Sequence, residues 1–354
     1  MKKHISFPSI EKFSNIVANI NREHNFVGLD ANGDAIYDYS KPKPVLTFKG
    51  TVKLHGTNAG VCFNHEDGLW AQSRENIITP QSDNAGFAFF VESNKEILTN
   101  LVVDVASNPK NNINLLNNTI SIYGEWCGAG IQKGVGITNL PKSFFIFGVK
   151  ITPHTETEEE RKTKPAYWVD SSYLRAPEAK IYNIEDYQTY SIDIDFNVPQ
   201  LSQNQIIDMT LAVEDECPVA KAFGFSGIGE GIVFSYKGYK FKSKGEKHSA
   251  KSKVHTLKPV DDVRINQIIE VVGKVTSEWR LDQMLTNACD LINGGQIDSK
   301  KMGDYIKLVM SDILKEELDV LSEAGVEPKE IGKYVSEVAK KYFFSRQNQE
   351  VGLK

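Results

Sequence analysis

The sequence contains few cysteines and no long apolar run. Its 354 residues include four cysteines, none at C-x-x-C spacing, so the sequence indicates neither a zinc knuckle nor a disulfide framework. A reducing compartment is the simplest interpretation of this pattern. No stretch of about 18 apolar residues exists to span a membrane, and the start, Met1–Pro8, lacks the apolar run of a signal peptide. We therefore expect a cytoplasmic protein with no membrane partner.

The glycine-rich loops that usually cradle phosphates are also missing. The sequence has neither a G-x-x-x-x-G-K-[ST] motif nor a G-x-G-x-x-G motif. If the protein uses a nucleotide, it must do so by another chemistry, and a covalent lysine is the alternative that we consider.

Charge is distributed unevenly along the chain. The formal net charge is −5, yet residues 237–258 contain eight lysines and a single acid, Glu246. A basic segment of this kind is typical of contact with a polyanion. The rest of the composition, with 40% hydrophobic and 25% charged residues, is that of an ordinary globular protein. The length suggests two domains, or one large domain with an appendage.

Lys53 is the most informative residue of the chain. It lies in Lys53-Leu-His-Gly-Thr-Asn58, after a run rich in β-branched residues and three residues before a glycine. Some enzymes present an amine nucleophile to ATP in this way. A solvated lysine at the end of a strand would leave the same short pattern, so Lys53 needs support from the rest of the chain.

A lysine nucleophile that attacks ATP has definite requirements. The amine must lose its proton, and nearby positive charge favours that loss. The transition state gains negative charge and needs cations around it. The ribose needs a hydrogen-bond acceptor, the base needs an aromatic ring, and Mg²⁺ needs hard oxygen ligands.

Three residues suit the nucleoside part of such a substrate. Arg74 can grip a ribose or a phosphate, Glu125 follows a predicted strand and precedes a glycine-rich loop, and Phe147 can cover a base. Each also has an ordinary structural explanation. Arg74 and Glu75 would form a surface ion pair, Glu125 would be an acid at a strand end, and Phe147 would belong to the core.

Four further residues suit the phosphate chemistry. Glu230 is a carboxylate flanked by glycines, and Lys240 and Lys242 alternate with Phe241, so that both amines lie on one face of a strand. His55 is a candidate substrate contact. Their ordinary explanations are a turn acid, a solvated strand face and a histidine near the core. All these explanations would have to hold together, in this order, for the pattern to be accidental.

The motifs together resemble the RNA ligase 2 family of covalent nucleotidyltransferases, which includes phage nick-sealing ligases and kinetoplastid RNA-editing ligases. The matching segments are Lys53–Asn58, Ser73-Arg74, Tyr123–Gln132, Phe144–Phe147, Glu230–Val233 and Lys240–Lys242. His55 stands where DNA ligases and capping enzymes usually carry aspartate. The first 40 residues match poorly.

The resemblance implies an ATP-dependent RNA ligase that uses Mg²⁺ or Mn²⁺. Lys53 would form lysyl-AMP, AMP would pass to an RNA 5′-phosphate, and an RNA 3′-hydroxyl would displace AMP. The substrate would be nicked duplex RNA or templated ends, and the protein would act as a monomer. The residues implied at the nucleotide are Lys53, His55, Asn58, Arg74, Glu125 (on the ribose), Phe147 (on adenine), Glu230 (on metal or lysine), Lys240 and Lys242 (on phosphates).

The fold class follows from the pattern and the resemblance together. Residues 1–258 are predicted to form an α+β nucleotidyltransferase domain, an ATP-grasp-like adenylylation domain with antiparallel sheets. Asp67-Gly68 predicts a hairpin turn inside it, and the acidic run Thr155–Lys164 predicts a solvated loop. After Pro259 apolar residues recur at helical spacing, which predicts a small all-α domain over residues 259–354.

Three functional alternatives remain open from the sequence. An ATP-dependent DNA ligase or an mRNA-capping guanylyltransferase would share the lysine chemistry, but such enzymes usually continue into an all-β domain rather than helices. A non-catalytic nucleic-acid binder would retain the fold without the chemistry. For the C-terminal helices we expect RNA contacts from a few basic side chains, namely Arg280, Lys300 and Lys301.

Overall fold

The structure, a computed structural model, describes residues 2–30, 32–111, 113–249 and 257–352. The chain divides into two units, each assembled from several segments. The first comprises Met1–Ile16, Thr47–Asp193 and Gln205–Lys258, and the second comprises Val17–Leu46, Ile194–Asn204 and Pro259–Lys354. Of the basic segment, Lys251 and Lys253 lie outside the described residues.

Strands dominate the middle of the chain, and helices dominate its end. The strands are β1 (Phe26–Leu29), β2 (Ala35–Tyr37), β3 (Val45–Lys53), β4 (Thr57–Asn64), β5 (Gly68–Ser73), β6 (Ile77–Ile78), β7 (Asn118–Cys127), β8 (Ser143–Pro153), β9 (Tyr167–Val169), β10 (Ile181–Asn183), β11 (Thr189–Asp195), β12 (Gly231–Tyr236) and β13 (Tyr239–Lys244). The helices are α1 (Phe13–Asn25), α2 (Phe87–Ser93), α3 (Lys95–Ser107), α4 (Glu158–Thr163), α5 (Gln203–Asp215), α6 (Pro218–Ala222), α7 (Glu246–Ser249), α8 (Asp262–Val275), α9 (Glu278–Cys289), α10 (Met302–Glu316), α11 (Leu318–Glu323) and α12 (Pro328–Gly352).

The larger sheet of the first unit has seven strands in the order β10-β8-β7-β4-β5-β6, with β9 paired to β8. Its pairs are antiparallel except for β10, which runs parallel to β8. The central strands β7 and β8 are buried along almost their whole length. Their near-continuous apolar sequences reflect this burial, since helices α2 and α3 bury Phe87, Leu98 and Val102 in the same core.

The smaller sheet has four strands in the order β11-β3-β12-β13, and β3, β12 and β13 pair antiparallel. One face is a packed aromatic layer, because Phe48, Phe234 and Phe241 are fully buried there. Side chains alternate along a strand. The opposite face therefore carries the residues between them, which include Lys53 and Lys242.

Two local predictions had different outcomes. The hairpin at Asp67-Gly68 is confirmed, since β4 and β5 pair in register and Gly68 has a φ of +68°. The loop expected over Thr155–Lys164 is wrong in part, because the segment contains the exposed helix α4. Thr157 caps this helix by accepting a hydrogen bond from the Glu160 N–H (3.1 Å). Acids in its first turn and bases in its last turn complement the helix dipole.

The second unit joins a β1–β2 hairpin to the C-terminal helices. Helices α8 to α12 share a core that includes Val272, Leu285, Tyr305 and Val335. The predicted fold class, antiparallel sheets followed by C-terminal helices, is confirmed, with one parallel strand pair as the exception. Within the described residues, no helix is both long and apolar enough to cross a membrane.

Arg280 does not have the role expected from the sequence. Its side chain is only 8% exposed, and its guanidinium donates to Asp312 (2.7 Å) and Glu317 (2.6 Å) inside the second unit. An arginine held in this way braces α9 against α10 and is not available to an RNA backbone. Lys300 and Lys301 are exposed.

Candidate active site

The candidate site is built on the face of the smaller sheet opposite its aromatic layer. Lys53 is the last residue of β3 and lies across from Gly231 of β12, which in turn lies across from Lys244 of β13. Gly231 has a φ of +144°, and a Cβ at this position would overlap the carbonyl oxygen of Ser243. Only glycine fits between the two lysines without strain.

Glu230 links these lysines. Its carboxylate is 3% exposed, and its two oxygens lie 2.7 Å from the Lys53 amine and 2.5 Å from the Lys244 amine. Nδ1 of His55 lies 3.4 Å from the same carboxylate. Burial opposes ionisation of Glu230, but the hydrogen bond from His55 and the charges of Lys53 and Lys244 outweigh it. The pKa of Glu230 is therefore well below its usual range, and the carboxylate stays ionised.

Glu125 is a second carboxylate and lies on strand β7 of the larger sheet, next to β4. It pairs across from Asn58 of β4, and its Oε1 accepts a hydrogen bond from the Gly56 N–H (2.9 Å). Burial raises the pKa of Glu125 to about 7, although the charge of Lys53 acts in the opposite direction. Glu125 is therefore partly protonated near neutral pH, whereas Glu230 is ionised.

The lysines of β13 form three cross-strand rows with β12 and β3. Lys244 shares the row of Gly231 and Lys53, Lys242 shares that of Val233 and Thr51, and Lys240 shares that of Ser235 and Lys49. Burial and then the charges of Lys244 and Lys53 lower the pKa of the Lys242 amine. Lys242 and Lys244 are therefore close enough to Lys53 to interact with it electrostatically.

The other end of the site is aromatic. Phe147 of β8 meets the ring of Phe7 at a centroid distance of 5.1 Å and an interplanar angle of 68°. The Lys240 amine lies over the rings of Phe7 (5.0 Å) and Trp168 (4.7 Å). Lys240 thus lies with the aromatic residues, two rows away from Lys53.

All nine residues predicted from the sequence line one cavity of about 450 Å³. They are Lys53, His55, Asn58, Arg74, Glu125, Phe147, Glu230, Lys240 and Lys242. Arg74 is the most open of them, since its side chain is 62% exposed and pairs with Glu75 at 3.4 Å. The surface pair considered from the sequence is therefore present, at the rim of the cavity.

Sequence reasoning missed several residues that line this cavity, among them Lys244 and Phe7. Lys244 continues the alternation of Lys240 and Lys242, so the same strand-face argument would have included it. Phe7 lies in the N-terminal segment, which carries no motif. It reaches the cavity only through long-range contacts that the sequence does not encode locally.

The carboxylates of the cavity suit a hard divalent cation that is held by only a few protein ligands. The lining carboxylates are Glu125, Glu185 and Glu230, of which Glu125 and Glu230 interact with Lys53. Mg²⁺ is commonly held by one or two carboxylates together with substrate phosphates and water. Among the residues that the structure describes, no group of three or more His, Cys, Asp and Glu side chains is arranged to hold a metal without a substrate.

Comparison with known proteins gives one family and several distant structures. Residues 47–253, more than half of the chain, match the family model described as RNA ligase. No curated protein matches the chain. Similar solved structures include Naegleria gruberi RNA ligase with PPi (18% identity, TM-score 0.40) and a mutant of that ligase with ATP and Mn (18% identity, TM-score 0.41). Each similarity covers 70% of this chain and 58% of the ligase chain.

Proposed function

The chain belongs to the RNA ligase family, and we propose that it is an ATP-dependent enzyme that joins RNA 3′-hydroxyl and 5′-phosphate ends. The single observation that carries this proposal is the environment of Lys53. The Lys53 amine, at the end of a strand, pairs with the ionised carboxylate of Glu230 in a cavity that three lysines of β13 also line. This is the arrangement that attack on a nucleoside triphosphate requires.

In the first step the Lys53 amine, after losing a proton to water, attacks the α-phosphorus of ATP. A nitrogen–phosphorus bond forms, the bond to the leaving phosphate breaks, and pyrophosphate departs. Glu230 holds the amine in position, but its low pKa makes it a poor proton acceptor. Lys242 and Lys244 offset the charge that accumulates on the phosphates. A bound Mg²⁺ or Mn²⁺ would add positive charge there, with Glu230 as its protein ligand.

The nucleoside would occupy the other half of the cavity. Glu125 is suited to accept a hydrogen bond from the ribose, because its carboxylate lines the cavity and the Gly56 N–H holds one of its oxygens in place. Phe147 is suited to cover the base. His55 and Asn58 also line the cavity, and Arg74 at the rim is suited to the later steps, which involve the RNA phosphate.

Two further transfers complete the proposed reaction. The oxygen of an RNA 5′-phosphate attacks the lysyl-AMP phosphorus, which releases Lys53 and gives an adenylylated RNA end. An RNA 3′-hydroxyl then attacks the 5′-phosphate, a phosphodiester forms and AMP departs. We propose that the ends are brought together by a duplex or a template, and that the enzyme works as a monomer.

We propose a division of labour along the chain, with nucleotidyl transfer in residues 1–258 and RNA engagement in residues 259–354. Every residue of the cavity precedes Gly245. A truncation at 258 is a poor test, because in the second unit Tyr39 packs on Phe344 (5.2 Å) and Asp38 accepts a hydrogen bond from Asn348 (3.1 Å). The full chain with Lys300→Ala and Lys301→Ala should form lysyl-AMP normally but seal RNA more slowly. Lys329→Ala with Lys333→Ala is the matched control.

A substrate panel tests the proposed activity. The enzyme is given ATP and Mg²⁺ with nicked duplex RNA, nicked duplex DNA or single-stranded RNA, each with a labelled 5′-phosphate. Joining of nicked RNA ahead of the other two supports the proposal. Preference for nicked DNA would indicate a DNA ligase. In a parallel incubation with GTP in place of ATP, a covalent GMP adduct would indicate a capping enzyme. Absence of any covalent nucleotide would indicate a non-catalytic binder.

A further inference from the structure

The N-terminal segment Ile5–Glu11 connects the two sheets of the first unit. At one end the Ile5 N–H donates to Gln72 Oε1 (3.1 Å), and the Ile5 carbonyl accepts from the Tyr123 hydroxyl (2.6 Å). At the other end the Glu11 N–H donates to the Lys240 carbonyl (3.0 Å), and the Lys242 N–H donates to the Glu11 carbonyl (3.3 Å). The segment is therefore fixed to both walls of the cavity. The family match begins only at residue 47.

Phe7 lies in the middle of this segment and closes the aromatic end of the cavity. Its ring contacts Phe147 (5.1 Å), Tyr123 (5.2 Å) and Trp168 (5.5 Å), all at steep angles. Pro8 and Ile10 line the cavity beside it. The wall next to the proposed base position is therefore supplied by residues outside the matched family region.

Lys240 is held against this wall. Its amine lies over the rings of Phe7 and Trp168, and burial lowers its pKa, with the charge of Glu185 acting in the opposite direction. Within the described part of the chain, the amine makes neither a hydrogen bond nor an ion pair. It lines the cavity and therefore has donors to offer to a ligand.

The position of Lys240 along β13 separates it from the phosphate chemistry. It lies four residues from Lys244, the lysine opposite the nucleophile, which corresponds to about 13 Å along a strand. The amine lies over Phe7 and Trp168, and a Cβ added to Gly148, the residue after Phe147, would lie 4.0 Å from it. A ligand atom that meets this amine belongs to the base rather than to the triphosphate.

We propose that Lys240 reads the nucleobase, donating a hydrogen bond to a ring nitrogen of the purine, and that Phe7 of the segment Ile5–Glu11 holds it there. The lysine amine offers only donors, and the ring nitrogens of adenine are acceptors. This inference rests on the proposed use of ATP. It replaces the phosphate-binding role that the sequence suggested for Lys240 and leaves that role with Lys242 and Lys244.

The test measures binding of AMP, which carries the base but has no pyrophosphate to lose. Affinities of AMP, 1-deaza-AMP, 3-deaza-AMP and 7-deaza-AMP are compared by calorimetry on the full chain. One analogue should bind the wild type about tenfold to a hundredfold more weakly than AMP, as expected for loss of a hydrogen bond to a charged group. In Lys240→Met that difference should disappear. Methionine keeps the unbranched side chain as far as the ε position and removes only the amine.

Two comparisons make the result specific. Lys49→Met removes an exposed lysine from the same cross-strand row and should leave all four affinities unchanged. Phe7→Ala should weaken AMP binding, and its effect should not add to that of Lys240→Met, because both act through one contact. Melting curves of each variant show that it is folded.

The outcomes separate this inference from the proposed function. If Lys240→Met discriminates among the four nucleotides as the wild type does, Lys240 does not read the base. If the wild type shows the predicted pattern but forms no lysyl-AMP from ATP, the ligase proposal fails and the role of Lys240 stands. A wild type that binds no AMP would overturn the inference directly.

Discussion

Replacing Glu230 with glutamine keeps the shape of the side chain and removes its charge. The Lys53 and Lys244 amines, at 2.7 Å and 2.5 Å, then lose their shared counter-charge. Breaking a fully buried pair costs about 3–5 kcal/mol. The Lys53 and Lys244 side chains are 19% and 24% exposed, so water compensates in part. We therefore expect the free energy of unfolding to fall by roughly 2–3 kcal/mol.

The effect of Glu230→Gln on catalysis should be larger than its effect on folding. Without the carboxylate, the Lys53 amine is no longer held at the end of β3. The three partners of Glu230, namely Lys53, His55 and Lys244, then rearrange. Loss of one preorganised charge at a phosphoryl centre typically costs roughly 10²–10³ in rate. We therefore expect lysyl-AMP formation at saturating ATP to slow by about this factor.

Thermal melting and single-turnover formation of labelled lysyl-AMP measure the two effects on the same preparations. For a unit of this size the expected fall in Tm is roughly 5–10 °C. Glu216→Gln is the control, because it removes an exposed partner of Lys221 (2.5 Å) away from the cavity. It should lower stability by less than about 1 kcal/mol and leave the rate unchanged. A Glu230→Gln variant with a near-normal rate would refute the reasoning.

Two further predictions concern the other charged groups of the cavity. Lys244→Met should slow lysyl-AMP formation at saturating ATP by roughly 10²–10³, whereas Lys247→Met, at an exposed lysine just beyond β13, should keep the wild-type rate; equal effects would remove Lys244 from the site. Glu125→Gln should change how stability depends on pH. Burial holds the pKa of Glu125 at about 7 against an ordinary value of 4.5, so the unfolded chain releases this proton first. The Tm of the wild type should therefore fall relative to that of Glu125→Gln as the pH rises from 4.5 to about 7, and parallel curves would show that Glu125 ionises normally.

Much of the site was predictable because strand alternation and short motifs encode it locally. Lys53 and Lys242 fall on one face of the smaller sheet, and Glu230 directly precedes Gly231, the first residue of β12 and the one across from Lys53. Glu125 and Phe147 are on adjacent strands whose apolar runs indicate burial. The period of two accounts for the shared face of the lysines, and the glycine-flanked motif marks Glu230 beside them.

The sequence could not predict properties that depend on register or on distant segments. Which lysine of β13 lies opposite Lys53 is decided by the pairing through Gly231, and a shift of two residues would exchange Lys242 for Lys244. Phe7 reaches the cavity because Ile5 and Glu11 bond to strands far along the chain. Arg280 was assigned to RNA from its charge, whereas burial between Asp312 and Glu317 gives it a structural role.

The central claim of this account is that Lys53 is the nucleophile. The measurement that tests it most directly is peptide mass spectrometry after incubation with ATP and Mg²⁺, with Lys53→Ala and Lys49→Ala proteins treated in parallel. We predict one added AMP in the wild type and in Lys49→Ala, on the peptide that contains Lys53, and none in Lys53→Ala. AMP on another residue, or undiminished labelling of Lys53→Ala, would contradict the account.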